Sequence, residues 1–168
     1  MIKIHRVEPE DLEWLRKWRN TPELYVNFNQ YREISKREQE EWYEGLSEVF
    51  HPFIVWMGDK RVGSVSLRDI NTILRSAEFS IFIVPLERNQ GYGTEALRQI
   101  LDYGFNILNL QVIHSLVFEF NKAIDVYTKF GFHIDGTLRR TCYKNGKYFN
   151  SYYISMLREE YDEKYNIK

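Results

Sequence analysis

The chain has 168 residues, of which 43% are hydrophobic and 28% charged, and its formal net charge is −1. This length suits one domain with a sizeable core, and we expect a single domain over residues 1–168. The small net charge gives no electrostatic reason to expect a nucleic-acid partner. The single cysteine, Cys142, excludes an internal disulfide and fits a reducing compartment, so a cytoplasmic location is expected.

Metal and membrane classes are also disfavoured by the sequence. The four histidines are scattered, and no Cys/His cluster has the spacing of metal ligands. No apolar run approaches the roughly 20 residues that a membrane span needs. The N-terminus alternates like a strand and lacks the basic and apolar regions of a signal peptide. We therefore expect no metal and no membrane association.

The N-terminal part of the chain predicts one strand and two helices. Residues 2–7 alternate in polarity like a short strand. A helix is expected from Pro9 until the break at Thr21-Pro22. A second helix is expected from Ser35, which can form a capping box with Glu38, to about Leu46.

The remaining elements alternate between strands and helices. Strands are predicted at Phe53–Met57, Val62–Leu67, Ala77–Val84, Val112–Phe118, Leu138–Tyr143 and Lys147–Met156. Helices are predicted around the apolar positions Ala96 to Leu108, at Lys122–Phe130 and at the C-terminus. The dipeptide Asn145-Gly146 predicts a hairpin between the last two strands. The order β-α-α-β-β-β-α-β-α-β-β indicates a mixed α/β (α+β) fold, not a doubly wound one.

The most informative motif is Arg88-Asn89-Gln90-Gly91-Tyr92-Gly93, which lies between an apolar strand and an amphipathic helix. A glycine-rich turn lets backbone N–H groups point at an anion, and the start of a helix adds a positive dipole end. Arg88 supplies a cation with several donors. The motif therefore predicts a site for a ligand that carries phosphate groups.

Three phosphate ligands are considered for this loop. Gly91 to Ala96 fits G-x-G-x-x-A, and Glu119 lies where a ribose-binding acid would be expected. In a dinucleotide fold, however, the first glycine follows the strand almost at once, whereas residues 85–90 intervene here. A triphosphate loop needs Gly-Lys-Ser/Thr, and Gly93 is followed by Thr94. Coenzyme A is the third candidate.

A second motif supports coenzyme A. The segment from Asn121 to Phe132, NKAIDVYTKFGF, resembles the second signature of the GCN5-related N-acetyltransferases (GNAT), and Arg88–Gly93 matches their pyrophosphate loop. The resemblance extends from Leu12 to Met156. The segment from Gly136 to Arg158 is similar to the branch that contains ribosomal-protein N-terminal acetyltransferases. Residues 15–23 resemble enzymes that acetylate nucleotide-linked amino sugars.

This resemblance implies the GNAT fold, a mostly antiparallel central sheet with a splayed strand pair, flanked by helices. It implies that acetyl-CoA is the co-substrate and that the acetyl group passes to a primary amine by direct attack in a ternary complex. The splayed strand would pair its free backbone groups with the pantetheine arm. The implied coenzyme-binding residues are Ile81, Phe82, Ile83, Arg88, Asn89, Gln90, Gly91, Tyr92, Gly93, Thr94, Asn121 and Lys129.

The resemblance also implies catalytic roles. Tyr127 occupies the position of the family's general acid for the leaving thiolate, and the alternative is one core ring among twelve tyrosines. Glu78 is the preferred general base, with a solvent-facing strand residue as the alternative, and Glu119 is a second candidate. Some relatives carry their base on the following strand, but the corresponding residue here is Leu116.

Several other residues have two interpretations. Cys142 is expected to be an ordinary buried or half-buried thiol and not a nucleophile. The run Glu38, Glu40, Glu41 and Glu44 either attracts a polycation or is a solvated helix face, which we favour. Trp18, Phe28, Tyr31 and Trp42 either line an acceptor cleft or pack in the core. Asn150 stands where relatives tend to have an acid.

The acceptor is not fixed by the sequence. A protein N-terminus, a nucleotide-linked amino sugar, a polyamine and an aminoglycoside are all compatible, and the segment Trp18-Arg19-Asn20 slightly favours the amino sugar. A homodimer is compatible with the sequence but not indicated by it. The alternative to an enzyme is a coenzyme A-binding regulatory module that has lost catalysis.

Overall fold

The computed structural model describes residues 1–28 and 32–165. Its strands form a seven-stranded sheet in the order β1-β2-β3-β4-β5-β7-β6. β4 and β5 pair in parallel, whereas β1–β2, β2–β3, β5–β7 and β6–β7 pair antiparallel, which confirms the expected mixed fold. The strands are β1 Ile2–Arg6, β2 His51–Met57, β3 Lys60–Asn71, β4 Ser76–Ile83, β5 Val112–Phe118, β6 His133–Lys144 and β7 Lys147–Leu157.

Six α-helices accompany the sheet in the described residues. They are α1 Leu12–Arg19, α2 Pro22–Tyr25, α3 Lys36–Glu44, α4 Tyr92–Asp102, α5 Ala123–Phe130 and α6 Arg158–Tyr165. Short 3₁₀ turns lie at Pro9–Asp11 and Pro85–Glu87. In the described parts of the chain, no helix is both long enough and apolar enough to cross a membrane.

The chain divides into two compact units. The first comprises Met1–Arg68 and Ser80–Ile100, and the second comprises Asp69–Phe79 and the chain from Leu101 onward. Strand β4 is continuous and contributes Ser76–Phe79 to the second unit and Ser80–Ile83 to the first.

In the first unit, β3 approaches the end of β4 very closely. A Cβ atom on Gly63 would lie 2.3 Å from the carbonyl oxygen of Phe82 and 2.7 Å from the side chain of Ile83. Only a residue without a side chain allows this approach. Val84 then donates its N–H to the carbonyl of Val62 at 3.0 Å. The strand that leads into the glycine-rich loop is thus fixed by backbone contact.

In the second unit, the core is built from inward-facing residues of β4, β5 and β7. Ala77, Phe79, Ile113, Ile154 and Met156 are fully or almost fully buried. Each alternates with a more exposed neighbour, as a sheet with one covered face requires. One face of this part of the sheet is therefore closed by packing, and the opposite face holds the more exposed side chains.

The helix predicted to run to Leu108 changes its geometry before that residue. α4 ends at Asp102 and continues as a π-helical segment, Tyr103–Ile107. Such a wide turn leaves main-chain carbonyls without a partner four residues on. The guanidinium of Arg158 donates to the carbonyls of Phe105 and Leu110, the latter at 3.1 Å. Hydrophobic spacing alone does not distinguish this segment from an α-helix.

Other differences concern the lengths of elements. The capping box of Ser35 and Glu38 is confirmed, with Glu38 N–H to Ser35 Oγ at 3.2 Å. The break predicted at Thr21-Pro22 is followed by the short helix α2, because Pro22 takes its first position. β6 begins at His133, before the predicted Leu138. Residues 133–141 of this strand are exposed, so they lack the apolar alternation that sequence reasoning requires.

Candidate active site

The glycine-rich loop connects β4 to α4 within the first unit. The first intrahelical bond runs from the N–H of Glu95 to the carbonyl of Gly91 at 3.1 Å. The N–H groups of Tyr92, Gly93 and Thr94 therefore precede the helical hydrogen-bond ladder. These donors lie at the positive end of the dipole of an eleven-residue helix.

The backbone of the loop is shaped like an anion cradle. Gly91 has φ +79, and Asn89 has φ 62 although it carries a side chain. A Cβ atom built on Gly91 would meet no atom within 4 Å, so this position opens into free space. A turn with left-handed residues ahead of a helix collects N–H groups around one concavity. The loop therefore fits a diphosphate such as that of coenzyme A.

Two side chains brace this loop. Arg88 donates from Nε to the carbonyl of Ile83 at 3.1 Å, which ties the loop to the end of β4. The hydroxyl of Tyr92 donates to Oε1 of Gln90 at 3.0 Å. Arg88 is exposed, and its terminal guanidinium nitrogens are the donors that would contact an anion.

The pairing of β4 with β5 covers only the beginning of β4. Residues of the two strands pair from Ser76 with Val112 to Glu78 with His114. β4 nevertheless continues to Ile83 and β5 to Phe118. This register agrees with the splayed strand pair that the sequence led us to expect. The implied role of Ile81, Phe82 and Ile83 requires main-chain groups beyond the last of these pairs.

Tyr127 lies on α5 in the second unit and is 9% exposed. Its ring packs edge-on against Phe79 at 5.2 Å and against Phe132 at 6.1 Å between centroids. Burial raises the pKa of Tyr127 well above its usual range, because the phenolate would be poorly solvated. The residue is therefore a neutral O–H donor at physiological pH.

Asn121 holds the start of α5. Its Oδ1 accepts a hydrogen bond from the N–H of Ala123 at 3.0 Å, and its own N–H donates to the carbonyl of Phe118 at 2.8 Å. The Asn121 side chain thus orders the turn that carries Tyr127. Lys129 is exposed near the end of the same helix, and its carbonyl accepts from Lys164 Nζ at 3.0 Å.

Glu78 lies on the less covered face of β4. It is half-buried, whereas its neighbours Ala77 and Phe79 are 0% and 1% exposed. Phe79 faces Tyr127, so by strand alternation the side chain of Glu78 lies on the other face of the strand. Its pairing partner His114 shares that face and stacks on Tyr153, with ring centroids 5.2 Å apart.

Glu119, the second candidate base, is bound by Asn150. Its Oε1 accepts from the N–H of Asn150 at 2.9 Å, and its Oε2 accepts from Nδ2 of the same residue at 3.1 Å. Asn150 Oδ1 in turn accepts from the N–H of Arg140, a residue at φ 55 in the bulge of β6. Both carboxylate oxygens thus serve a structural connection. The amide at position 150 suits this role because an acid could not donate to Glu119.

Cys142 and three acids of the run on α3 have structural environments. Cys142 is 1% exposed, and burial raises the pKa of its thiol. Glu38, Glu40 and Glu41 form ion pairs with Arg32, Lys36 and Arg37.

The aromatic residues of the N-terminal part contact one another. Trp18 packs on Trp14, and the ring of Trp42 contacts Phe50 and the guanidinium of Arg19. Phe28 packs edge-on against Phe82 at 6.2 Å. Tyr31 lies outside the described residues.

Sequence reasoning missed His114 and Tyr153. The histidine was treated only as a potential metal ligand, and in the described residues no three His, Cys, Asp or Glu side chains could together hold a metal ion. The available signal was strand alternation, which places His114 and Leu116 on one face of β5 and Ile113 and Ser115 on the other. Their partners, however, lie on other strands, which only the sheet order brings together.

A phosphate cradle at the start of a helix, next to a strand with an incomplete partner ladder, defines a protein that binds an acyl-coenzyme A. The family described as "Acetyltransferase (GNAT) domain" matches residues 2–133. The chain belongs to this family and is an acetyl-CoA-dependent N-acetyltransferase.

Several similar proteins belong to one group within this family, the spermidine acetyltransferases. Spermidine N(1)-acetyltransferase of Escherichia coli K12 is 30% identical over 172 residues, which cover 95% of this chain and 88% of that protein. The Vibrio cholerae protein of the same name is 33% identical over 149 residues, covering 80% and 86%. A crystal structure of spermidine N-acetyltransferase from Vibrio cholerae, in complex with CoA and spermine, has a TM-score of 0.91 at 30% identity and covers 95% and 97%.

These relatives correct part of the expectation from sequence. The family was predicted correctly, but the branch of ribosomal-protein and amino-sugar acetyltransferases was wrong, since these similar proteins are spermidine acetyltransferases. The residues that carried the branch prediction, 136–158 and 15–23, do not include the glycine-rich loop or α5.

Proposed function

We propose that this enzyme transfers the acetyl group of acetyl-CoA to a primary amino group of a polyamine such as spermidine or spermine. The observation that carries the proposal is the similarity to spermidine acetyltransferases over 95% of the chain, together with the TM-score of 0.91 to a spermine complex. The unprotonated amino group of the polyamine attacks the thioester directly in a ternary complex. An amino sugar and a protein N-terminus are set aside as acceptors.

The coenzyme binds through residues of the loop and of β4. Its diphosphate lies against the N–H groups of residues 89–94, with Arg88 as the cation beside it. The pantetheine arm pairs with the main chain of Ile81, Phe82 and Ile83. Asn121 and Lys129 contact the coenzyme near α5. The open space at Gly91 and the register of β4 with β5 support these assignments.

Tyr127 acts on the leaving sulfur. A phenol has an ordinary pKa of about 10 and a thiol about 8.5, so complete proton transfer to a free thiolate would be unfavourable. Burial raises the pKa of Tyr127 further. The phenol therefore donates a hydrogen bond to the sulfur while the C–S bond breaks. As its proton passes to the sulfur, the phenol oxygen receives another proton. Glu78 serves the amine on the other face of β4.

A thiol-release assay with a panel of amines tests the proposal. We expect turnover with spermidine and spermine at values of kcat/KM at least tenfold above those for a nucleotide-linked amino sugar, an aminoglycoside or an N-terminal peptide. Mass spectrometry should find one added acetyl group on the polyamine. A preference for the amino sugar or peptide would refute the polyamine. Tight acetyl-CoA binding without release for any amine would favour the silent module.

A further inference from the structure

Four titratable side chains from four strands come together on the open face of the second unit. Glu78 on β4 is paired with His114 on β5, and this is the last recorded pair of the parallel ladder. The imidazole of His114 stacks on the ring of Tyr153 from β7, with an interplanar angle of 25°. All three residues are half-buried. We refer to these residues, with Asp135 of β6, as the open-face cluster.

Two carboxylates act electrostatically on Tyr153. Burial raises the pKa of Tyr153, and the charges of Asp135 and Glu78 raise it further. Asp135 lies at the register shift of β6, where Ile134 faces Ile154 and Gly136 faces Tyr153. The bulge therefore places the backbone of Asp135 next to the residue that pairs with Tyr153. A region with two carboxylates beside an imidazole attracts cations and can also accept a proton.

The position of the open-face cluster suits a role in removing a proton from the attacking amine. Tyr127 contacts Phe79 on the covered face of β4, whereas Glu78 is on the opposite face. Acetyl transfer needs a donor at the departing sulfur and an acceptor at the attacking nitrogen, and these are different atoms of the reacting group. Tyr127 and the open-face cluster can therefore take different roles, one at the sulfur and the other at the nitrogen.

We propose that His114 is the catalytic proton acceptor for the amine, with Glu78 and Asp135 binding the ammonium and Tyr153 holding the imidazole ring in place. This inference rests on the proposed function, because it assumes that a protonated primary amine is the acceptor. It changes the role of Glu78 from sole base to cation-binding residue.

The chemistry favours an imidazole over a carboxylate as the proton acceptor. An ammonium group loses its proton with an ordinary pKa of about 10.4, and the ordinary values are about 6.5 for imidazole and about 4.3 for a glutamic acid. Transfer to an imidazole is thus less unfavourable by about two pKa units. A carboxylate alone stabilises the ammonium and so opposes the deprotonation that the reaction needs.

The protons and bonds balance as follows. The ammonium gives one proton to His114, and the nitrogen lone pair forms the N–C bond at the thioester carbon. The C–S bond breaks, and the sulfur takes the phenolic proton of Tyr127. The second proton lost by the nitrogen restores the phenol through solvent. The imidazolium releases its proton to water, so each amide formed yields one thiol and one proton.

Turnover of His114→Gln tests this inference. Glutamine keeps a polar side chain but cannot accept a proton, so we expect kcat with spermidine to fall at least a hundredfold. In the wild-type enzyme, kcat should decline at low pH as an imidazole becomes protonated, and the variant should lose this decline. The groups that face His114 and could also titrate are Glu78, Asp135 and Tyr153. Acetyl-CoA affinity, measured by calorimetry, should stay within twofold.

A matched control variant accompanies these measurements. His133→Gln alters an exposed histidine of β6 whose ring contacts Glu160 at 3.3 Å. This control should retain kcat within about threefold. His114→Ala leaves space for an imidazole molecule, so added imidazole should recover part of the lost activity.

Each outcome decides the inference. If the wild-type enzyme is active and His114→Gln has the same kcat and pH profile, the role of His114 is overturned. The proposed function is then unaffected. A parallel loss of acetyl-CoA affinity in both His114 variants also overturns it, since the histidine would then be structural. A wild-type chain without activity on any amine overturns the proposed function and this inference with it.

Discussion

The hydroxyl of Tyr127 can be tested apart from its ring. The ring is buried against Phe79 and Phe132 and contributes to the core whether or not it is catalytic. Tyr127→Phe keeps this packing and removes only the donor to sulfur. We expect kcat to fall about a hundredfold or more, the range of general acid catalysis, with acetyl-CoA affinity unchanged.

Stopped assays of thiol release and calorimetry with acetyl-CoA measure the two effects. Tyr143→Phe is the control, because Tyr143 is 51% exposed on the terminal hairpin. Wild-type turnover in Tyr127→Phe would leave the tyrosine as a core residue only.

Asn150 offers a second test at a single residue. Its Nδ2 donates to Glu119 Oε2 at 3.1 Å, so the hydrogen bond depends on an amide at this position. Asn150→Asp has almost the same shape but replaces the donor with a second carboxylate. We expect the free energy of unfolding to fall by about 1 kcal/mol, partly recovered at high salt because the pair is accessible to solvent.

Urea unfolding at low and high salt measures this loss. Asn145→Asp adds the same charge in the hairpin turn and should change stability by less than half as much. Equal losses in the two variants would show that Asn150 does not depend on Glu119.

The site residues that could be identified from the sequence lie among motif residues that are their neighbours in the chain. Gly91 lies inside a motif of six residues and Tyr127 inside one of twelve, and the neighbours in each motif fix the local backbone. His114 has no such context, since its partners Glu78 and Tyr153 are far away in the chain and meet it only through strand order. The same reason explains why the pairing of Glu119 with Asn150 could not be predicted.

At the scale of elements, the loop before α4 makes the sharpest prediction. Gly91→Ala places a methyl group in the open space that we assign to the diphosphate, at φ +79. Gly146→Ala places one at φ +78 in the hairpin turn, where nothing lies within 4 Å either. Both variants should lose about 1 kcal/mol of stability through the left-handed backbone.

Only Gly91→Ala should also weaken acetyl-CoA binding, by at least tenfold in Kd measured by calorimetry. Arg88→Ala should weaken binding as well, because it removes the cation beside the diphosphate. Retained affinity in Gly91→Ala, or an equal loss in Gly146→Ala, would place the coenzyme elsewhere.

The ends of a strand could be predicted where the strand has apolar residues that pack in the core. β5 is found at its predicted bounds, Val112–Phe118, because apolar residues stand at both of its ends. β6 was predicted too short, since its exposed residues 133–141 carry no hydrophobic pattern and the strand is specified by its pairing with β7. The π-helical turn at Tyr103–Ile107 was missed because it depends on Arg158, a residue near the C-terminus.

At the scale of the whole molecule, the sequence predicted one domain, whereas the contacts divide the chain into two compact units. Strand β4 is continuous across both, with Ser80–Ile83 in the first unit and Ser76–Phe79 in the second. Unfolding of one unit would reach a strand whose chain continues into the other. We therefore propose that the chain is one cooperative domain and that both units unfold in a single transition.

The chain contains a separate probe for each unit. All four tryptophans, at positions 14, 18, 42 and 56, belong to the first unit, and the single cysteine, Cys142, is 1% exposed in the second. Tryptophan fluorescence and the reactivity of the Cys142 thiol should therefore give the same urea midpoint. Acetyl-CoA at 100 times its Kd should raise both midpoints together, since binding to the native state adds about 2.7 kcal/mol to a two-state protein. Separate midpoints without ligand would contradict the single transition. If acetyl-CoA shifted the tryptophan midpoint alone, the loop before α4 would stabilise only the unit that contains it.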